Sequence, residues 1–291
     1  VYLGRAFRLL ARFPHAKRLY FIALMRKDVV KVEHWLASEY DGAGIMNLKL
    51  DSMLGISKTF PSGSRFGTGL CSGSDMGVQF YDWQRRSPPE AAGVGLSPCP
   101  PAGGSDPHFM GTHGMVHEYI HTLSYQFGST MPDDAFLPCW FVEGEPEWVQ
   151  ASISSTFAEY LKAQNLQPYY LTQDGRNFKA TTARTWKAAE VAKYLRASTK
   201  NPDCGKTPTY ALAYSLGAVL VEALASIGGT ESVFRLHQLL VDNATPFDDA
   251  FAQVYGTTWD LAVPILSKVI AAKITRAWGP RALTYQTRPE P

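Results

Sequence analysis

The pentapeptide His117-Glu118-Tyr119-Ile120-His121 constrains this chain more than any other stretch. Its H-E-x-x-H spacing is productive only on a helix. At ~3.6 residues per turn, positions i and i+4 share a face, so His117 and His121 can grip one ion from the same side. Glu118 is displaced around that helix, beside the first imidazole. A carboxylate there reaches a metal-bound water without ligating the metal, which is the place of a general base. The apolar positions Val116, Ile120, Leu123 and Phe127 form the stripe that buries this helix, expected from Thr112 to Phe127 with Gly128 as terminator.

Two imidazoles are half a site, because catalytic zinc takes three protein ligands and leaves one position for water. A third histidine six residues after His121 is ruled out, since Ser124 and Phe127 stand where that pattern needs Gly and His. His113 lies four residues before His117, but ~12 Å along a helix axis from His121, too far to share the ion. A glutamate from a second helix is the other solution. Glu143 follows His121 by 22 residues, enough to end one helix and bring another alongside. Glu147, one turn on, is placed to accept a hydrogen bond from a ligand imidazole. Glu145 is expected to face elsewhere, toward solvent or a substrate subsite. Pro146 complicates this helix, because proline is tolerated only in the first turn. Either the helix starts at about Trp140 to Val142 and accepts Pro146 early, or Glu143 is displaced and Glu147 replaces it as the ligand.

Composition excludes several classes. The 28 basic and 26 acidic residues leave a net charge of +2 with no basic cluster, so nucleic acid is not expected as a partner. No apolar run approaches the ~18 residues of a membrane span. Four cysteines, Cys71, Cys99, Cys139 and Cys204, lack C-x-x-C spacing. Two disulfides in a secreted or extracytoplasmic protein are one reading, with three possible connectivities; four reduced thiols in a cytosolic enzyme are the other.

Along the chain, residues 1–17 suggest a short amphipathic helix ending before Pro14, and Lys17 to Leu24 a buried strand. A helix after Asp28, a strand over Ile45 to Leu50 and another over Met76 to Trp83 follow. Ten Pro or Gly residues between Pro88 and Pro107 argue against regular structure over 84–113. Beyond the motif the chain reads as helical, with Tyr210 to Leu224 strongly apolar. Thr185, Thr230, Thr245 and Thr258 are candidate caps. The expected fold is α+β. A small mixed or antiparallel sheet lobe carrying the motif helix (1–128) precedes a mainly helical lobe with the third ligand (129–291), and zinc sits in the cleft between them.

Together, H-E-Y-I-H and the downstream L-P-C-W-F-V-E-G-E-P-E-W resemble the gluzincin metallopeptidases, the group that includes thermolysin and the membrane-alanyl-type aminopeptidases. The likeness is greatest to the peptidase-MA-like families, whose P-x-W-x-x-E-G-x-A-E-Y stretch corresponds to Pro138, Trp140, Glu143, Gly144 and Glu147 here, with Trp148 in the aromatic place. Pro146 departs from the pattern, standing where those families have Ala. Residues 210–220 and 247–259 are similar to the group's C-terminal helices.

The resemblance implies a zinc-dependent peptidase acting on a peptide or protein substrate. His117, His121 and Glu143 would hold Zn2+, and Glu118 would be the base. Tyr210 is implied as the phenol that stabilises an oxyanion, with Tyr214 one turn on as the alternative. Met76–Trp83 would be the edge strand that aligns substrate. The competing expectation is a catalytically silent metal-site scaffold, acting as a secreted or surface-associated binding protein. Oligomeric state is not legible.

Overall fold

The computed structural model describes residues 2–13, 15, 18–23, 76–81, 91–97, 113–124, 137–154, 156, 160, 174–175, 178–179, 185–200, 210–241 and 245–278. The chain divides into two compact units, Val1–Thr130 and Met131–Pro291.

In the first unit, helix α1 (Tyr2–Leu9) is followed by the short strands β1 (Arg18–Ala23), β2 (Met76–Tyr81) and β3 (Ala91–Ser97) and by helix α2 (His113–Ser124). The strands pair in the order β1-β3-β2. β3 runs parallel to β1, with Arg18 opposite Ala91, and antiparallel to β2, with Met76 opposite Ser97. α2 packs on β2 and β3 and touches α1.

β3 corrects the expectation that 84–113 lacks regular structure. The prolines lie outside Ala91–Ser97, and the only breakers within it are Gly93 and Gly95, which keep their N–H groups for pairing. The expected helix after Asp28 and the strand over Ile45–Leu50 lie outside the described residues.

The second unit begins with α3 (Cys139–Ser152) and a two-residue strand pair, β4 (Asp174–Gly175) with β5 (Phe178–Lys179). Helices α4 (Ala188–Ser198), α5 (Tyr210–Gly228), α6 (Thr230–Val241), α7 (Phe247–Tyr255) and α8 (Trp259–Trp278) complete it. α3 is its centre, buried at every position from Cys139 to Ala151. It packs most extensively on α5, and it does so backbone to backbone. A Cβ on Gly144 would lie 2.3 Å from the carbonyl carbon of Gly217, and one on Gly217 would lie 2.3 Å from the Trp140 carbonyl oxygen. Trp140 stacks on Trp259 at 5.5 Å, and Phe247 meets both rings edge-on. This aromatic cluster ties the start of α3 to α7 and α8.

The expected α+β class with a sheet lobe is overturned. Among the described residues eight helices carry the structure, and the strands, two to seven residues long, are a minor part, so the protein is mainly helical. The physical reason lies in the segments themselves. β2 and β3 are interrupted by Gly77, Gly93 and Gly95, which weaken a strand. Helices α5 and α8, 19 and 20 residues long, supply buried apolar side chains to a continuous helical core. No single helix among the described residues is long and apolar enough to cross a membrane.

Cap chemistry departs from expectation at α4. Its N-cap is Lys187 rather than Thr185, and Glu190 reaches back to accept the Lys187 N–H at 2.9 Å. α7 begins at Phe247 with Pro246 as its N-cap, and ends on Gly256 at φ 68°, a left-handed stop.

Candidate metal centre

The motif folds as the helix its spacing requires. Val116, Tyr119, Ile120 and Leu123 are all buried and lie within about 100° of one another around α2, so Tyr119 joins the expected stripe. Tyr119, a variable position of H-E-x-x-H, anchors the helix. Its ring meets Phe7 of α1 edge-on at 4.9 Å, and its hydroxyl lies 2.9 Å from Nδ1 of His15. The other ring nitrogen of His15 is 3.1 Å from the Leu10 carbonyl oxygen. A carbonyl only accepts, so Nε2 carries the proton, and neutral Nδ1 accepts from Tyr119. Burial pushes the Tyr119 pKa well above its usual value, which keeps that hydroxyl a donor.

With α2 held in this way, His117 and His121 are both more than nine-tenths buried. Their rings lie 4.7 Å apart at 74°, and their Nε2 atoms are separated by 3.0 Å. Glu143 joins them. One ligand atom from each of His117, His121 and Glu143 lies within 4.8 Å of the others, and all three residues are buried. This group can hold a metal ion. The donor set suits a divalent cation: two imidazoles and a carboxylate are the three protein ligands of an open zinc site. The 3.0 Å between Nε2 atoms is close to the ~3.3 Å edge of a tetrahedron built on Zn–N bonds of ~2.0–2.1 Å.

Helix α3 brings Glu143 to this group despite its proline. Pro138 is the N-cap, so Pro146 stands in the helix interior, not in the first turn as expected. Its missing N–H removes the bond to the Val142 carbonyl, and the ring crowds that carbonyl. Neither sequence-derived alternative holds, because the proline is internal and Glu143 is still in the group.

The other two carboxylates of α3 are also buried. Glu147 Oε2 accepts a hydrogen bond from Gln150 Nε2 of the same helix at 2.6 Å. Glu145, expected toward solvent or a subsite, is instead 2% exposed and lies 2.5 Å through Oε2 from Nδ1 of His237 on α6. His237 had no partner legible in the sequence. No spacing signal reaches across the 92 residues between them.

No protein-family profile, curated protein or solved structure matches this chain. The gluzincin likeness therefore rests on the sequence stretches alone.

Glu118 lies within α2 and Tyr210 opens α5, but the side chains of both lie outside the described residues, as does that of His113. Cys139 is disulfide-bonded, and Cys71, Cys99 and Cys204 lie outside the described residues.

Proposed function

We propose that this protein is a zinc-dependent metallopeptidase of the gluzincin type, hydrolysing peptide bonds in a peptide or protein substrate. The observation that carries the reading is the buried convergence of His117, His121 and Glu143, with a glutamate immediately following the first histidine.

In this reading His117, His121 and Glu143 are the ligands. A bound zinc ion supplies Lewis acidity, polarising a carbonyl and lowering the pKa of water toward ~7. Glu118 takes the proton of the attacking water and delivers it to the departing amine. Tyr210, at the first turn of α5, donates a hydrogen bond to the oxyanion that develops on the former carbonyl. The buried setting of the three ligands excludes bulk water and so strengthens each of these interactions. The disulfide at Cys139 supports action in an oxidising compartment, secreted or extracytoplasmic.

Replacing the base tests the reading. Glu118→Gln is expected to retain one zinc per chain, by elemental analysis, and to lose peptide hydrolysis by at least ~100-fold, the low end of a general base's contribution. Full activity in that variant, or a wild type without zinc, overturns the mechanism. A wild type that binds zinc and cleaves nothing in a peptide library makes the protein a metal-site scaffold instead.

A further inference from the structure

Helix α3 buries a carboxylate on two sides. Glu143 and Glu145 lie about 200° apart around the helix axis, and each is at least 95% buried. Glu143 has a chemical reason to be there. Glu145 has none of its own, and a buried ionic pair is a poor source of stability, because apolar residues of the same volume usually serve as well or better. A carboxylate and an imidazole in direct contact do supply direction. The 2.5 Å contact between Glu145 Oε2 and His237 Nδ1 is satisfied at one helix rotation and lost at others.

Other contacts also restrain α3, among them the disulfide at Cys139 and the Trp148–Phe234 ring contact at 6.1 Å, and two lie close to Glu143. The Gly144–Gly217 approach fixes how closely α3 lies against α5. The Trp140–Trp259 stack at 5.5 Å holds its first turn. Both are apolar or steric contacts, which slide more readily than a hydrogen bond turns. The tolerance at the site is small. Side chains of a helix reach ~5–6 Å from its axis, so a turn of ~10° moves the Glu143 carboxylate by ~1 Å. Ligand and catalytic constellations work within about 0.5 Å and 10–20°.

We propose that His237 is a positioning residue: by holding Glu145 on the far side of α3, it sets the helix rotation that presents Glu143 to His117 and His121. The inference rests on the metal-site reading of those three residues. His237 ligates nothing in this scheme and touches no substrate. It acts through Glu145 and the rigid helix, at a distance of 92 residues in sequence.

The test is cobalt(II) binding, read by chelator competition and by the visible absorption of the bound ion, on proteins shown to be folded by circular dichroism and melting. The double variant Glu145→Leu with His237→Leu removes the pair without stranding a buried charge. Its cobalt affinity is expected to fall ~10–100-fold, the usual effect of losing a partner behind the ligands, with altered ligand-field bands. Glu145→Gln keeps an acceptor for His237 and is expected to bind cobalt within ~3-fold of wild type with an unchanged spectrum. Should the double variant not fold, His237→Ala, which leaves room for water beside Glu145, reads the same loss. A folded pair-less variant with wild-type affinity and spectrum overturns the proposal. So does an equal loss in Glu145→Gln, which would assign the effect to charge, not direction. The wild-type titration separates the two levels of inference: no cobalt binding there overturns the metal site itself, and the positioning role falls with it.

Discussion

The two histidine–carboxylate groups that meet on α3 look alike in composition and differ in what they leave to be done. On one side Glu145 meets one imidazole, His237, through Nδ1 at 2.5 Å. On the other, Glu143 meets two imidazoles whose Nε2 atoms are 3.0 Å apart. Two imidazoles and a carboxylate converging on one small volume form a group that can hold a metal ion. Burial is the same for both groups, so burial alone does not distinguish a structural pair from a metal centre. The ratio and convergence of donor atoms does.

The largest expected effects break the two groups separately. His121→Ala removes a ligand, and its zinc affinity is expected to fall on the order of 100-fold or more, since the ~10–16 kcal/mol of a zinc site is shared among a few ligands. Its melting temperature without metal should fall less than that of a variant lacking the Glu145–His237 contact, because His117 remains beside the buried Glu143. Glu145→Ala is expected to act first on stability, with only the smaller loss of metal affinity that follows from freeing α3 to turn. It strands His237 in the core and costs about 3–5 kcal/mol, a fall in melting temperature of roughly 10 °C for a unit of this size. Equilibrium dialysis and calorimetry on both variants check the pair of statements. Equal loss of stability in the two would erase the distinction drawn here.

This asymmetry also explains what was legible in the sequence. His117 and His121 are one turn apart on one helix, so their convergence follows from helix geometry alone. Glu143 was reachable because a second helix must follow the first within a short stretch. Glu145 and His237 meet through the packing of α3 on its neighbours, and nothing local to either residue signals it. The same holds for Gly144 and Gly217, whose backbones touch because two helices cross there. Pro146 misled because the rule for isolated helices ignores burial: α3 is enclosed from Cys139 to Ala151, and packing outweighs one lost hydrogen bond. Strand β3 is hidden in the sequence because prolines crowd both of its flanks while its own seven residues contain none. The fold class was misjudged for a related reason. Short alternating segments signal strands locally, while the core is made by long helices such as α5 and α8.

A smaller effect probes what holds the two faces of α3 in place together. Gly217→Ala puts a methyl group 2.3 Å from the Trp140 carbonyl oxygen and 2.9 Å from the Gly144 Cα. Real Cβ atoms do not approach so closely, so α3 and α5 must separate. The expected cost is about 1–3 kcal/mol, as for other overpacked cores. Because Gly144 adjoins both Glu143 and Glu145, zinc affinity should fall together with stability in this variant. Thermal melting with and without zinc measures both. A loss of stability with unchanged zinc affinity would show that the helix spacing and the ligand position are independent.

The smallest effect reads the Glu145 side by pH. Tyr255 is pushed from 10.0 up to about 12, first by burial and then by the Glu145 charge, against an opposing hydrogen bond from Ser232. Ser232 Oγ lies 3.2 Å from the phenol oxygen. A raised pKa in the folded state means that the unfolded chain loses its proton first. Below pH 10 Tyr255 is protonated in both states and its contribution to stability is fully present; between pH 10 and 12 that contribution is lost as the pH rises. Tyr255→Phe has no proton to lose, so its melting temperature should decline less steeply over that interval, by the equivalent of roughly 1–3 kcal/mol at the upper end. Glu145→Gln removes only the coulombic part of the shift and should flatten the same limb by less. Parallel alkaline limbs in wild type and Tyr255→Phe would mean that Tyr255 does not titrate against the folded state at all. A flattening in Tyr255→Phe but none in Glu145→Gln would confine the cause to burial and remove the charge of Glu145 from its surroundings.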